Sequence, residues 1–387
     1  MGVCHICSGN LEKVSQKFSL LNQVTSDCRP FSKKNGELAI CKNCGVVQKR
    51  ITQDWLKQIS AIYSDYKVYN QGCGLEQSSF NDGVGVARSK KILTWLNQIK
   101  ILPDQGNILD FGCGNGHFLR EFGAYRTHWT LTGFELDNRN KNAIESIPKS
   151  KFYSGSLDDV DEYYDLIVTI HTIEHLQDPV TFLNSLSSKL KPEGLILIEV
   201  PDLEKSPFDI LITDHCSHFI CKSLIYVCKL AGLEVVKVTS DFISNEISLL
   251  LKLPSIEGDN IINKKFISID KEVLKQEKEI VNSHIDWLID LRDHALNIPD
   301  FVGIFGTSIG GTWMASELEE KVTLFVDEDP DRIGNIHMGI PIKSVKDILS
   351  SDCIVVPLRK DIADSIIDRL AKKNINFFPL PPTKKLL

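Results

Sequence analysis

ILDFGCGNGHFLREF, residues 108–122, decides how this chain is read. The apolar run ILDFG has the character of a buried strand, and HFLREFG that of a helix opening. Between them Asp110, Gly112, Gly114 and Gly116 set out D-x-G-x-G-x-G. Glycines let the backbone turn sharply and approach a ligand closely, and the start of a helix offers free N–H groups. In nucleotide enzymes those groups meet phosphate. Here an acid precedes the glycines, which suits a ligand carrying a positive amine. Glu135 ends the next apolar stretch, LTGFEL, 19 residues after Gly116, where a carboxylate can accept both ribose hydroxyls. The combination predicts an S-adenosylmethionine site. The glycines taken alone also fit a nicotinamide cofactor, or a turn that binds nothing.

Outward from this loop, residues 81–255 alternate short β-branched runs (LTGFEL, DLIVTI, LILIEVP) with amphipathic segments such as PVTFLNSLSSKL (179–190). That alternation predicts an α/β fold built on a parallel sheet with helices on both faces, a Rossmann-like core. Residues 256–297 follow as a helical connector. Within it Val273, Val281, Ile285, Leu288 and Leu291 recur at helical spacing, and Pro299 stands beyond it as a stop. VGIFGTSIGGTWMASEL (302–318) then repeats the order strand, Gly-rich turn, helix. With VTLFVDED and CIVVPL it makes residues 298–387 a second, smaller α/β unit. The turn from Phe305 to Gly311, with Asp327 closing the next strand, is expected either to hold part of a substrate or to keep its shape and bind nothing.

A length of 387 residues accommodates about two or three domains. Lys and Arg total 44 against 51 Asp and Glu, a formal charge of −7, which argues against a nucleic-acid partner, whose phosphates need a basic surface. No apolar run is long enough to span a bilayer and the first residues lack an export signal, so a cytoplasmic protein with no membrane partner is expected. Five of the eleven cysteines fall within the first 44 residues. Cys4 and Cys7 form one C-x2-C, and Cys41 and Cys44 another, a spacing that predicts a closed four-thiolate Zn2+ site in a module spanning residues 1–80. Scattered reduced cysteines, or a disulfide pair, are the alternatives. The segment is poor in periodic apolar residues, so a metal is expected to fold it rather than to catalyse. His5 and Cys28 are not expected to be ligands.

The glycine loop and its acid resemble those of class I methyltransferases. The resemblance implies that SGSLDDV (154–160) is an adenine-binding turn touching cofactor through Ser156 and Leu157. In IHTIEHLQDP (170–179) it places His171 and Thr172 beside the cofactor and turns His175 toward substrate. Each of those histidines could equally cap or pack a helix start.

Over nearly its full length the chain resembles the sugar C-methyltransferases that act on nucleotide-linked keto-sugars. CHICSGNLEKV and ICKNCGVVQ are similar to that family's zinc segments, and FGTSIGGTWMASEL with FVDEDPDRIGNIHMGIPI to its C-terminal, nucleotide-sugar-holding domain. The family carries tyrosine, any residue, glutamate, histidine after the last core strand. Here the matching stretch is ILITDHCSHF (210–219), with His215 as the histidine, Asp214 for the glutamate and Ile212 in place of the tyrosine. Tyr66 and Tyr63, in IYSDYKVY (62–69), are similar to an earlier active-site tyrosine. Methylation next to a ketone needs a base to take the α-proton before the enolate attacks the methyl group, and histidine titrates in the right range. His215 is the first candidate and His175 the second. Asp214, its neighbour in sequence, need not orient it, and His218 would share a helix face with His215. A metal on Asp214, His215 and His218, or a segment that only gates the pocket, are the competing readings. Ile212 keeps sugar O-methylation open. An RNA methyltransferase gripping nucleic acid through its zinc knuckles, and a non-catalytic cofactor-binding scaffold, are rivals from other classes.

Overall fold

The structure is a computed structural model that describes residues 2–31, 36–66, 76, 78–81, 84–254, 269–298, 301–350, 352–370, 375–378 and 381. Pro299, the first part of the 256–297 connector and the end of IYSDYKVY lie outside these.

Seven strands make the central sheet: β1 (Gly106–Phe111), β2 (Trp129–Glu135), β3 (Ser150–Ser154), β4 (Tyr164–Ile170), β5 (Leu190–Pro201), β6 (Glu234–Thr239) and β7 (Glu246–Lys252). Their spatial order is β3-β2-β1-β4-β5-β7-β6. β1 to β5 run parallel, whereas β7 runs antiparallel to both β5 and β6. The parallel sheet expected from strand–helix alternation forms in β1 to β5, and β7 adds an antiparallel strand between β5 and β6. The two last strands follow each other through a short connection, and only an antiparallel pair can be joined that way. β4, β5 and β7 are nearly continuous apolar runs because helices cover both faces. The order reverses between β1 and β4, and a crevice opens beyond the C-terminal ends of these strands, where α/β sheets bind ligands.

The N-terminal block does not stand apart from this core. Leu11–Lys13, Leu38–Cys41 and Val47–Lys49 form an antiparallel sheet whose fourth strand is Ser217–His218, contributed from beyond β5. The expected periodicity of the long helix holds, over Lys271–Leu296. It does more than connect. Val281, Ile285, Leu288 and Leu291 are buried in one apolar cluster with Phe18, Leu21 and Val24 of the first block and Trp313, Met314 and Phe325 of the last. The C-terminal unit has a six-stranded sheet centred on Val302–Phe305 and Val322–Asp327, with the helix Ile309–Leu318 after the glycine turn.

Candidate functional site

A cleft of about 1340 Å³ runs between the C-terminal ends of β1, β2 and β4, the N-terminal block and the C-terminal unit. Its walls include Asp110, Gly112, Gly114 and Glu135 on one side, Tyr63, Tyr66, His171, Thr172, His175, Asp209, Ile212 and His215 in the middle, and Phe305, Gly306, Gly310, Asp327 and Arg332 on the other. The two glycine turns thus face one cavity.

The loop after β1 turns through left-handed backbone at Gly112 (φ 80°) and Gly116 (φ 81°). A Cβ on Gly112 would lie 2.4 Å from Thr172 Oγ1, so β1 and the end of β4 approach through that glycine. At Gly116 a Cβ would lie 2.5 Å from Ile144 Cδ1. Gly116 itself does not line the cleft, although its neighbours Asn115 and His117 do; it starts the helix His117–Tyr125.

Asp110 is 2 % exposed. Burial, and after it the neighbouring Glu135, push its carboxyl up to about 8. Glu135, raised by its own burial, accepts from Gly114 N–H at 2.7 Å and from Leu136 N–H at 3.0 Å. A buried acid at a cavity wall, lacking a compensating positive charge, fits a ligand bearing an ammonium group. S-adenosylmethionine is such a ligand, and Asp110 and Glu135 are the residues that would hold its amine and its ribose. The adenine-turn expectation does not carry over into the cleft. Ser156 is exposed and its hydroxyl accepts from Asp158 N–H to cap the short turn Leu157–Asp159, while Leu157 packs against the core. Neither residue lines the cavity.

The histidines divide by their partners. His171, in left-handed backbone (φ 51°), lies 3.0 Å from Glu174 Oε1 through Nδ1 and 3.0 Å from Glu246 Oε2 through Nε2. Burial works against its charge, but Glu246 and Glu174 outweigh that and raise it to about 10. Its two carboxylate neighbours favour the imidazolium form at the wall. His175, in the turn Ile173–His175, shares Nδ1 between Tyr63 Oη at 2.9 Å and the Asp214 carbonyl at 3.0 Å. Burial and the nearby His215 push its pKa down.

His215 is 3 % exposed, and its ring meets that of His175 edge-on with centroids 4.5 Å apart. Its orienting partner is Asp209, whose Oδ1 lies 2.7 Å from His215 Nδ1. Burial lowers the basicity of His215, but the Asp209 carboxylate more than compensates and leaves it above the ordinary imidazole range. Asp209 in turn is held well below the usual carboxylate range by His218 and His215, against its own burial.

Asp214 is set back from the cleft, with Oδ2 3.5 Å from His175 Nδ1. It is fully buried, accepts from Ser26 N–H at 2.8 Å and from the Ser26 hydroxyl, and does not line the cleft. The shared helix face expected for His215 and His218 is corrected. Residues 212–218 run as loop and short strand, and the two rings meet through the opposite oxygens of Asp209. The Asp209–His218 distance is 2.6 Å, so the grouping of Asp209, His215 and His218 is explained by hydrogen bonds, and the metal considered on Asp214, His215 and His218 has no matching cluster among the described residues. Asp209 itself was beyond the reach of sequence: it lies six residues before His215 with no motif linking them. Tyr66 lines the cleft, and its hydroxyl lies 3.2 Å from Ser26 Oγ, to which it donates while Ser26 donates to Asp214.

The thiols of Cys4, Cys7, Cys41 and Cys44 converge, all within 4.8 Å of one another. Cys4 and Cys44 Sγ are 3.6 Å apart, Cys7 and Cys41 Sγ 3.4 Å. Four thiolates around Zn2+ at about 2.3 Å would stand about 3.8 Å apart, so the donor set fits a tetrahedral metal closely. Ile6 N–H points at Cys4 Sγ and Asn43 N–H at Cys41 Sγ, both at 3.4 Å, which favours the thiolate form. His5 and Cys28 stay outside this cluster.

In comparison with known proteins, residues 87–238 match a family model described as a methyltransferase domain. A ubiquinone biosynthesis O-methyltransferase of Rickettsia bellii is 25 % identical over 131 residues, 31 % of this chain and 50 % of that protein. A malonyl-[acyl-carrier protein] O-methyltransferase of Porphyromonas gingivalis is 27 % identical over 117 residues, covering 29 % and 45 %. The chain therefore spans about half the length of the curated relatives it matches. Among solved structures, an S-adenosylmethionine-dependent methyltransferase from Clostridium acetobutylicum overlays 52 % of this chain and 99 % of its own at a TM-score of 0.37 and 11 % identity. The fold assignment rests on the strand order and the glycine loop themselves.

Proposed function

We propose that this chain, which carries a class I S-adenosylmethionine-dependent methyltransferase domain, methylates a nucleotide-linked keto-sugar at carbon. The observation that carries the reading is the buried Asp209–His215 pair on the wall of the cleft that the cofactor loop and the C-terminal glycine turn share. Bound S-adenosylmethionine supplies an electrophilic methyl group. With Nδ1–H of His215 donated to Asp209, Nε2 is the nitrogen that takes the α-proton: the C–H bond breaks, the proton goes to Nε2, and its electron pair passes into the enolate of the sugar. Tyr63 and His175 provide a second hydrogen-bonded pair close by, suited to the keto oxygen. The charged groups of the C-terminal unit, Arg332 among them, face the region where the nucleotide part would lie. We infer Zn2+ at the four cysteines, with a cytoplasmic setting and neither nucleic acid nor membrane as partner. Among the described residues no helix is long and apolar enough to cross a bilayer.

Sugar O-methylation is the second reading, and Ile212 favours it. Its side chain faces the cleft where the resemblance calls for a tyrosine hydroxyl, and its carbonyl is taken by Lys49. A screen of nucleotide-linked sugars with labelled cofactor, followed by NMR of the product, decides between the two. A methyl on carbon supports the first reading, a methyl ether the second, and labelling of RNA alone defeats both.

A further inference from the structure

The N-terminal block makes many of its polar contacts with residues 209–218, the segment that carries His215. Lys49 is 3 % exposed, yet among the described residues its ammonium has no carboxylate at hydrogen-bond distance. It donates to the carbonyls of Ile210 at 2.9 Å and Ile212 at 2.5 Å, and reaches Gln23 Oε1 at 3.5 Å. Burying a lysine in this way is costly, and a methionine of similar length would pack there without the penalty. Its ammonium binds the turn Asp209–Leu211 and the residue after it from beneath, which fixes Asp209 and, through Asp209, the ring of His215.

Lys49 lies five residues after Cys44, on the strand that leaves the second knuckle. Along that strand Val47 pairs with His218 and Gln48 with Ser217, and Lys49 N–H donates to the Cys216 carbonyl at 3.0 Å. The first knuckle reaches the same segment. His5, between Cys4 and Cys7, sits 2.8 Å from the Ser217 hydroxyl through Nε2, and its N–H donates to Gln48 Oε1 at 3.2 Å. Gln48 Nε2 donates back to Cys4 Sγ at 3.1 Å. Both knuckles are thus tied to the strand that aligns the histidine segment.

We propose that the four-cysteine site is a positioning device for His215, and that Lys49 is the positioning residue through which it acts. The metal expected there would set the register of Val46–Lys49 against 216–218, and that register sets the Asp209–His215 geometry. The functional consequence rests on the reading of His215 as the base; the structural coupling does not.

The test uses the full-length chain with its metal bound. In Lys49→Met, metal content and calorimetric affinity for S-adenosylmethionine stay unchanged, while the 15N imidazole signals of His215 and His218 lose the signature of their Asp209 hydrogen bonds. Stripping the metal with a chelator gives the same spectral change, and Zn2+ restores it. On the nucleotide-sugar found active in the screen above, kcat falls on the order of 100-fold with little change in KM, the scale of a small misplacement of a catalytic group. Lys49→Arg, which keeps a charged donor, recovers part of it. Should Lys49→Met fail to fold, Ser217→Ala cuts the His5 link at smaller cost and is read by the same signals. Imidazole spectra that superimpose on the parent's in the variant, or after metal removal, overturn the proposal. Turnover surviving in His215→Ala would instead remove the base assignment and leave the coupling to be judged by the spectra.

Discussion

Asp209 Oδ1 lies 2.7 Å from His215 Nδ1, and its other oxygen lies 2.6 Å from His218 Nδ1. One buried carboxylate therefore fixes two rings, of which only His215 opens on the cleft. The carboxylate selects the tautomer with Nε2 free and stabilises the imidazolium once Nε2 is protonated.

Asp209→Asn should keep the size of the side chain but remove its charge and one of its two accepting oxygens, so that it can accept from only one of the two rings. The His215 imidazole then becomes less basic, because Asp209 is what holds it above its ordinary range. A base acts in its neutral form, so the acidic limb of the kcat/KM profile should move to lower pH, while the rate on the plateau falls by about 10²–10⁴-fold, the usual worth of general-base catalysis. A pH–rate profile checks both. An unmoved limb would show that the titrating group is not His215.

What the sequence disclosed and what it hid follow from the range of the interactions involved. The loop from Asp110 to Gly116 was legible because its chemistry is local: strand, left-handed glycines and helix start lie within fifteen residues. The cysteine cluster was legible for the same reason, two tight turns each carrying half a site. Asp214 stands where the resemblance has a glutamate, but its carboxylate reaches Ser26, 188 residues away, a contact that no local motif encodes. The antiparallel placement of β7 between β5 and β6 and the partnership of Ser217–His218 with Val47–Lys49 depend on long-range pairing that no apolar period encodes.

Cofactor binding should release a proton. At pH 7 the Asp110 carboxyl, pushed up to about 8, is mostly protonated before binding. An ammonium placed against it favours the ionised form and lowers its pKa. Titration calorimetry of S-adenosylmethionine in buffers of different ionisation enthalpy should therefore find close to one proton released per chain at pH 7, fading as the pH passes about 8. Affinity should rise with pH over the same interval. Asp110→Asn should abolish the release, and an enthalpy independent of buffer in the parent would exclude this role.

His171 predicts a separate pH dependence, in stability. Its folded-state pKa, about 10, is raised above the ordinary value of 6.5. The stabilisation is therefore fully present below about 6.5 and is lost as the pH rises through about 10. His171→Asn should flatten that alkaline decline. At neutral pH it should cost on the order of 3 kcal/mol, since Glu174 loses its buried partner while Glu246 keeps Arg88. Denaturant melts of parent and variant at pH 6.5 and 10 measure it. Parallel losses in both proteins would place the alkaline transition elsewhere.

Metal removal is the sharpest test of the N-terminal block. Cys4, Cys7, Cys41 and Cys44 should hold one Zn2+ per chain, and elemental analysis of protein purified without chelator should find it. Cys7 is the most accessible of the four, the others being buried. Cys7→Ser should therefore weaken the site with the least damage to packing and lower the metal content below one. Because Leu11, Ala39, Cys41 and Val46 share an apolar cluster with Phe219, Leu224 and Val227 of the core, the loss should not stay within the first block. The melting temperature of the whole chain should fall, and hydrogen exchange should rise across 209–218 as well as across 4–44. Full metal content in Cys7→Ser, or exchange confined to the first block, would separate the cysteines from the cleft.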